Sequence, residues 1–152
     1  MKKTLFIFIA FICIISNPII SHAASPHSSH ILLHKMSTKI KLENEITVEY
    51  NLEEYASNAR SNSKTSVKTV TYKKNDRIIA TIRLSADFIY TGSSATCTRA
   101  SSSYSMSDGW SYSNRTTTRS GNTAKTSAKI SKSKEYFNAN VTMTCSGSGE
   151  IS

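Results

Sequence analysis

The stretch Ile78–Tyr90, with the sequence IIATIRLSADFIY, decides the fold class. Its seven consecutive even positions carry apolar or aromatic side chains. The residues between them are mostly polar: Thr81, Arg83, Ser85 and Asp87. Because successive side chains of a strand point to opposite faces, this alternation predicts a long strand with one buried face and one solvent face.

The same period of two continues toward the C-terminus. Apolar residues occupy the odd positions of Phe137–Cys145, and a weaker stripe follows the even positions of Ala124–Ile130. Asp108-Gly109, between aromatic residues, is a strong hairpin signal. About six to seven strands without a helical pattern predict an all-β protein, an antiparallel β-sandwich. An Ig-like version is left open, because Trp110 lies between Cys97 and Cys145.

Residues 1–23 have the features of a cleaved secretory signal peptide. Lys2 and Lys3 precede the apolar run Leu5–Ile15, and Ser21-His22-Ala23 places small residues at the −3 and −1 positions of a cleavage site. Cleavage after Ala23 leaves 129 residues, enough for one small domain. The sequence therefore predicts a secreted, extracellular protein.

Two cysteines remain after cleavage, since Cys13 belongs to the discarded segment. In an exported protein an even pair favours a disulfide, here Cys97–Cys145, which would stabilise the fold by about 4 kcal/mol through the loop it closes. Two buried thiols are the alternative.

Charge divides the remaining chain. Residues 24–59 carry a net charge of −2, whereas residues 60–152 carry +9 and are rich in serine and threonine. We therefore predict a segment 24–63 and a basic β-sandwich domain 64–152, with a linker near Ser57–Lys64. Alternation predicts a strand over Ile46–Leu52, and Leu52–Ala59 could instead form a short helix. The acidic segment is either an edge strand or a propeptide.

Several segments of the basic part resemble known sequences. These are Lys68–Lys73, Phe88–Gly92, Thr96–Thr98, Ser120–Ala124 and Val141–Cys145. They are similar to small uncharacterised secreted β-domain proteins of Gram-positive bacteria, for which no activity is established. The resemblance implies a bacterial, secreted β domain and assigns no site residues.

The residues required for catalysis are scarce. Residues 60–152 contain no histidine, and neither a carboxylate pair nor a G-x-S-x-G elbow is evident. We predict no enzymatic activity and no cofactor. The triplet His27, His30 and His34 would share one face of a helix and is a weak candidate for binding Zn²⁺ or Cu²⁺. Pro26 and the serines at 28 and 29 disfavour such a helix.

The basic balance is the strongest functional clue. Potential contact residues are Trp110, Tyr112, Arg115, Lys125 and Lys129. Their charge and aromatic rings predict a binding module for an anionic cell-wall polymer or a glycan, with membrane or nucleic acid as further options. The alternative is a secreted antagonist, bacteriocin-like or membrane-active, whose propeptide is residues 24–59. A monomer is expected.

Overall fold

The computed structural model describes residues 31–41, 45–56 and 62–152. The regular structure of these residues consists of eight antiparallel strands, and none of them lies in a helix. The strands are β1 (Ile31–Lys41), β2 (Ile46–Ala56), β3 (Ser63–Lys74), β4 (Arg77–Tyr90), β5 (Ala95–Met106), β6 (Ser111–Ser120), β7 (Thr123–Lys132) and β8 (Glu135–Thr144). The all-β prediction is confirmed.

The strands form two sheets that pack face to face. One sheet has the order β1-β2-β3-β4-β5 and the other the order β6-β7-β8. Within each sheet every strand pairs with its neighbours in sequence, and the chain passes from one sheet to the other between β5 and β6. The Ig-like alternative is wrong, because that topology needs strands to pair with partners distant in sequence.

Strand β4 lies at the centre of the hydrophobic core. Ile82, Leu84 and Phe88 are fully buried on its inner face. They face the buried residues of the second sheet, which are Ala124, Ala128, Ile130, Ala139, Val141 and Met143. The alternation predicted for β4 changes phase at one end: Ile78 is 48% exposed and Ile79 is buried. The register with β3 shifts there, so a β-bulge moves Ile78 out of the core.

The acidic segment contributes two strands, β1 and β2, to the larger sheet. Strand β2 pairs along its whole length with β3 and places Ile46, Val48 and Leu52 in the core. The short helix considered for the residues after Leu52 is not formed as far as Ala56, because these residues continue the ladder with β3. Glu45 has a positive φ of 60° in the turn that precedes β2.

Cys97 and Cys145 are free thiols, both buried, and no disulfide joins them in this structure. Each sulfur donates to a carbonyl oxygen close in sequence: Cys97 Sγ to Arg99 at 3.2 Å and Cys145 Sγ to Ser146 at 3.4 Å. Their backbone amides bind consecutive carbonyls of the β6–β7 turn, those of Gly121 and Asn122. The two cysteines therefore flank the same turn.

Several predictions fall on residues outside the described ranges. They concern the signal peptide, His27, His30 and most of the linker near Ser57. His34 belongs to β1. Within residues 31–41, 45–56 and 62–152, no helix is long and apolar enough to cross a membrane.

Candidate functional site

The outward side of the three-stranded sheet is a continuous polar surface. Its members alternate with the buried residues of β7 and β8, and β6, which is exposed along its whole length, is aligned with them by the strand register. They are Ser111, Ser113, Thr116, Thr118, Lys125, Ser127, Lys129, Ser131, Tyr136, Asn138, Asn140 and Thr142. We call this surface the polar face. It contains hydroxyls, amides, two ammonium groups and one aromatic ring, and no carboxylate.

Lys125 and Lys129, both predicted as contact residues, lie on the polar face. Lys125 is exposed between Thr118 and Thr142 of the neighbouring strands. Lys129 places its Nζ 4.2 Å from the ring centroid of Tyr136, a cation–π contact. The Tyr136 side chain is nevertheless 63% exposed, so its ring is open to a ligand.

Tyr112 and Arg115 come together at the edge formed by β6. The guanidinium of Arg115 is 5.5 Å from the Tyr112 ring centroid, and its Nη1 is 3.4 Å from the Tyr112 hydroxyl. The Tyr112 ring packs on Tyr104 of β5 with centroids 5.0 Å apart. The register aligns Tyr112 with buried Ile130, so Tyr112 belongs to the inner side of its sheet rather than to the polar face.

Trp110 is separated from Tyr112 although only one residue lies between them. Its indole is 7% exposed and packs on Phe137, with centroids 5.9 Å apart. The exposed part of Trp110 lines a cleft of about 530 Å³ at one end of the sandwich. Three lysines, Ser133 and Glu135 complete the lining, and the lysines are Lys74, Lys132 and Lys134. The five predicted contact residues therefore occupy three places.

The outer side of the larger sheet has a different charge arrangement, because its lysines are paired with the glutamates of β2. Glu49 binds Lys73 at 2.8 Å and is 3.8 Å from Lys39, and Glu53 is 3.4 Å from Lys35. The hydrogen bond from Lys73 holds the pKa of the Glu49 carboxyl below its usual value. The glutamates of β2 thus pair with lysines of their own sheet and with none of the lysines of the polar face.

Titratable groups also lie on the inner side of the larger sheet. Glu54 and Lys64 form an ion pair of 2.7 Å, and Lys68 donates to the Thr142 carbonyl at 3.0 Å. Burial lowers the pKa of the Lys68 ammonium. These groups hold strands together, and Glu54 is buried. Among the described residues no three His, Cys, Asp or Glu side chains are grouped as a metal would require.

Residue-by-residue reading of the sequence overlooked part of the surface. Tyr136, Asn138 and Asn140 are not among the contact residues predicted from the sequence, yet they line the polar face beside Lys129. The sequence does indicate that these side chains point outward, because they occupy the polar positions of an alternating strand. Their proximity to the lysines depends on the β7–β8 register.

Comparisons with protein-family models, with curated proteins and with solved structures found no match to this chain.

Proposed function

We propose that this protein is a secreted, non-catalytic binding module whose polar face holds an anionic polymer of the cell surface, such as an acidic glycan. The observation that carries the proposal is a surface of three strands that displays Lys125, Lys129 and an exposed Tyr136 without a single carboxylate. Export rests on the signal-peptide features of residues 1–23.

The chemistry of the polar face suits a chain of anionic sugars. Ammonium groups attract the charge, and Asn138 and Asn140 offer amides that can donate to and accept from sugar hydroxyls. The Tyr136 ring provides an apolar face on which a sugar ring can pack. Since β6, β7 and β8 pair side by side in one sheet, an extended polymer that crosses the strands can contact all three.

Charge reversal on the polar face tests the proposal. We expect the mature protein to be retained on beads carrying sulfated dextran and to pass through beads carrying neutral dextran. The double substitution Lys125→Glu and Lys129→Glu should weaken retention about tenfold, because two attractive contacts become repulsive. Added salt should weaken the binding of the unaltered protein, since exposed charges are screened.

A matched control separates a specific face from general positive charge. Arg83 and Arg99 are exposed on the outer side of the larger sheet. The substitutions Arg83→Glu and Arg99→Glu change the net charge by the same amount as the polar-face variant. We expect this control to keep most of its retention. Equal losses in the two variants would contradict a site on the polar face.

The alternative function, a secreted antagonist released from a propeptide, requires residues 24–59 to be removed. Removal would take away β1 and β2, and with them the buried side chains of Val48 and Leu52. It would also leave Lys64 without Glu54, its ion-pair partner. These contacts favour a binding module in which the acidic strands remain part of the sheet.

We also propose that Cys97 and Cys145 become a disulfide after export. Both flank the β6–β7 turn, and in a secreted protein the usual oxidant is the disulfide of a thiol oxidoreductase. Each cysteine loses its thiol hydrogen, one S–S bond forms, and the oxidant is reduced to two thiols. The reaction is expected during folding, because burial raises the pKa of both thiols in the folded state.

A further inference from the structure

The cleft beside Trp110 is lined by residues from three different turns, and three of its six lining residues are lysines. The β3–β4 turn supplies Lys74, the β5–β6 turn supplies Trp110, and the β7–β8 turn supplies Lys132 and Lys134. These residues are far apart in the sequence, and the sandwich brings them to one end.

The carboxylates near this cleft already have partners. Lys74 Nζ binds Glu135 Oε2 at 2.6 Å, and Arg77 Nη1 lies 4.0 Å from Asp108 Oδ2. Asp76, in the same turn as Arg77, lines a different cleft with Lys39 and Glu45. The pairing of Glu135 and Asp108 leaves the other two lysines of the cleft without a carboxylate.

Lys132 and Lys134 are these two lysines. The Lys132 ammonium donates to the backbone carbonyl of Asp108, a neutral acceptor. Lys134 is exposed and makes no hydrogen bond or ion pair with any described residue. The local field therefore favours an anion, and both ammonium groups have donors to spare.

The second observation concerns the indole of Trp110. Although only 7% of the residue is exposed, its N–H makes no hydrogen bond to any described residue. The indole nitrogen is also not closed off from solvent. Among the described residues, Ser66 Oγ is the only side-chain polar atom that lacks both a hydrogen-bond partner and solvent contact. A largely buried tryptophan usually satisfies its N–H, and a ligand oxygen could do so here.

We propose that this cleft binds a tetrahedral oxyanion, a phosphate or sulfate group. Lys132 and Lys134 supply the charge, Trp110 supplies an apolar wall and a spare N–H donor, and Ser133 adds a hydroxyl. The inference deepens the proposed function and rests on it in one respect: the group is expected to be carried by the polymer. Its binding as a free ion is independent of the polymer.

The chain contains one tryptophan, so the indole reports on the cleft alone. The mature protein is titrated with sodium phosphate at constant ionic strength, with sodium chloride as the balancing salt. The readouts are tryptophan fluorescence and the single indole N–H cross-peak in a ¹H–¹⁵N spectrum. We expect a saturable change with phosphate or sulfate and none with chloride alone.

Substitutions then locate the ion. Lys134→Gln should weaken phosphate binding about tenfold, since it removes a charge-assisted contact. The fold should be unaffected, because Lys134 makes no hydrogen bond or ion pair with a described residue. Arg99→Gln, on the outer side of the larger sheet, is the matched control and should leave the titration unchanged. Lys132→Gln is the second variant, and its thermal midpoint shows whether the turn persists without the Asp108 contact.

A linear or absent response to phosphate, or equal affinity in the Lys134→Gln protein, would overturn the oxyanion site. Sulfated dextran separates this failure from that of the proposed function. Retention on the polymer without an indole response would support the polar face as the binding surface and contradict the oxyanion site in the cleft. A phosphate response without retention would support the cleft as a site for a free ion and contradict the proposed binding of a polymer.

Discussion

Glu54 of β2 and Lys64 of β3 form a 2.7 Å ion pair on the inner side of the larger sheet, where their side chains are only 10% and 11% exposed. Lys64 also lies 5.7 Å from the ring centroid of Tyr90. Separating two charges that have lost their water leaves one of them uncompensated. This pair ties the acidic strand to the basic part of the chain.

Substitution of Glu54 by glutamine should lower the free energy of unfolding by about 3 kcal/mol, because Lys64 then remains buried without an opposite charge. Glu53→Gln is the matched control. Glu53 meets Lys35, whose side chain is 60% exposed, and its loss should cost below about 1 kcal/mol. Urea unfolding of the two variants measures the difference, and equal losses would show that the buried position carries no special weight.

Removal of two buried hydroxyls, one in each sheet, should change the stability of the protein in opposite directions. Ser66 Oγ is buried from solvent and has no hydrogen-bond partner among the described residues. The Thr126 hydroxyl donates to the Thr116 carbonyl at 2.8 Å and is within hydrogen-bond distance of the Tyr104 and Thr117 hydroxyls.

Ser66→Ala should therefore keep or raise stability, since an unpartnered polar atom leaves the core. Thr126→Val, which preserves the shape of the side chain, should lower the free energy of unfolding by about 1–3 kcal/mol, because the hydrogen-bond partners of the hydroxyl are left unsatisfied. Thermal unfolding distinguishes the two. A large loss for Ser66→Ala would indicate that this hydroxyl has a partner in the folded protein.

Lys68 should make stability depend on pH at the alkaline end. It lies in register with Leu52 and Leu84, and burial lowers its pKa below the value of the unfolded chain. Between that lowered pKa and about 10.4, Lys68 is protonated to a greater extent in the unfolded state than in the folded state. The contribution of Lys68 to the free energy of unfolding therefore rises with pH in this range.

The substitution Lys68→Met removes this pH-dependent contribution to the free energy of unfolding. Near pH 7 the variant should match or exceed the original protein by about 1 kcal/mol, because no charge has to be desolvated. Its advantage should shrink as pH rises through the alkaline window. Chemical unfolding of both proteins from pH 7 to pH 11 gives the difference curve, and a flat curve would show that Lys68 is effectively solvated.

The thiols of Cys97 and Cys145 should be inert in the reduced, folded protein. Desolvation raises the pKa of both and suppresses the thiolate that reacts. A thiol reagent should label them only at the rate of unfolding. Oxidised protein should lose about two hydrogen masses and gain about 4 kcal/mol of stability. Intact mass and urea unfolding check both, and rapid labelling of the folded form would contradict the burial.

The strand pattern could be predicted because alternation is local. It correctly indicated the core of β4 and the inner residues of β8, such as Val141 and Met143. It failed at Ile78, because a bulge depends on the partner strand and leaves no mark in a single segment. The prediction of six to seven strands falls short of the eight in the described residues, because it contains no strand over Ile31–Lys41, which forms β1.

The candidate site was less predictable. Trp110 and Tyr112 look like one aromatic pair in the sequence, yet they pack on different rings, Phe137 and Tyr104. Sequence proximity says little about which partner a side chain meets across a sandwich. Lys132 and Lys134 could be read as a basic turn, but not as neighbours of Lys74 or of the indole.

By itself, the sequence determined the class of the fold and the sign of its charge. Period-two alternation needs only neighbouring residues, and net charge needs only composition. The tertiary structure decided which charges are neutralised. Glu49 lies beside Lys73 and Glu135 beside Lys74, while Lys134 has no carboxylate partner among the described residues. Pairing across strands and turns depends on register and packing, which only the folded chain establishes.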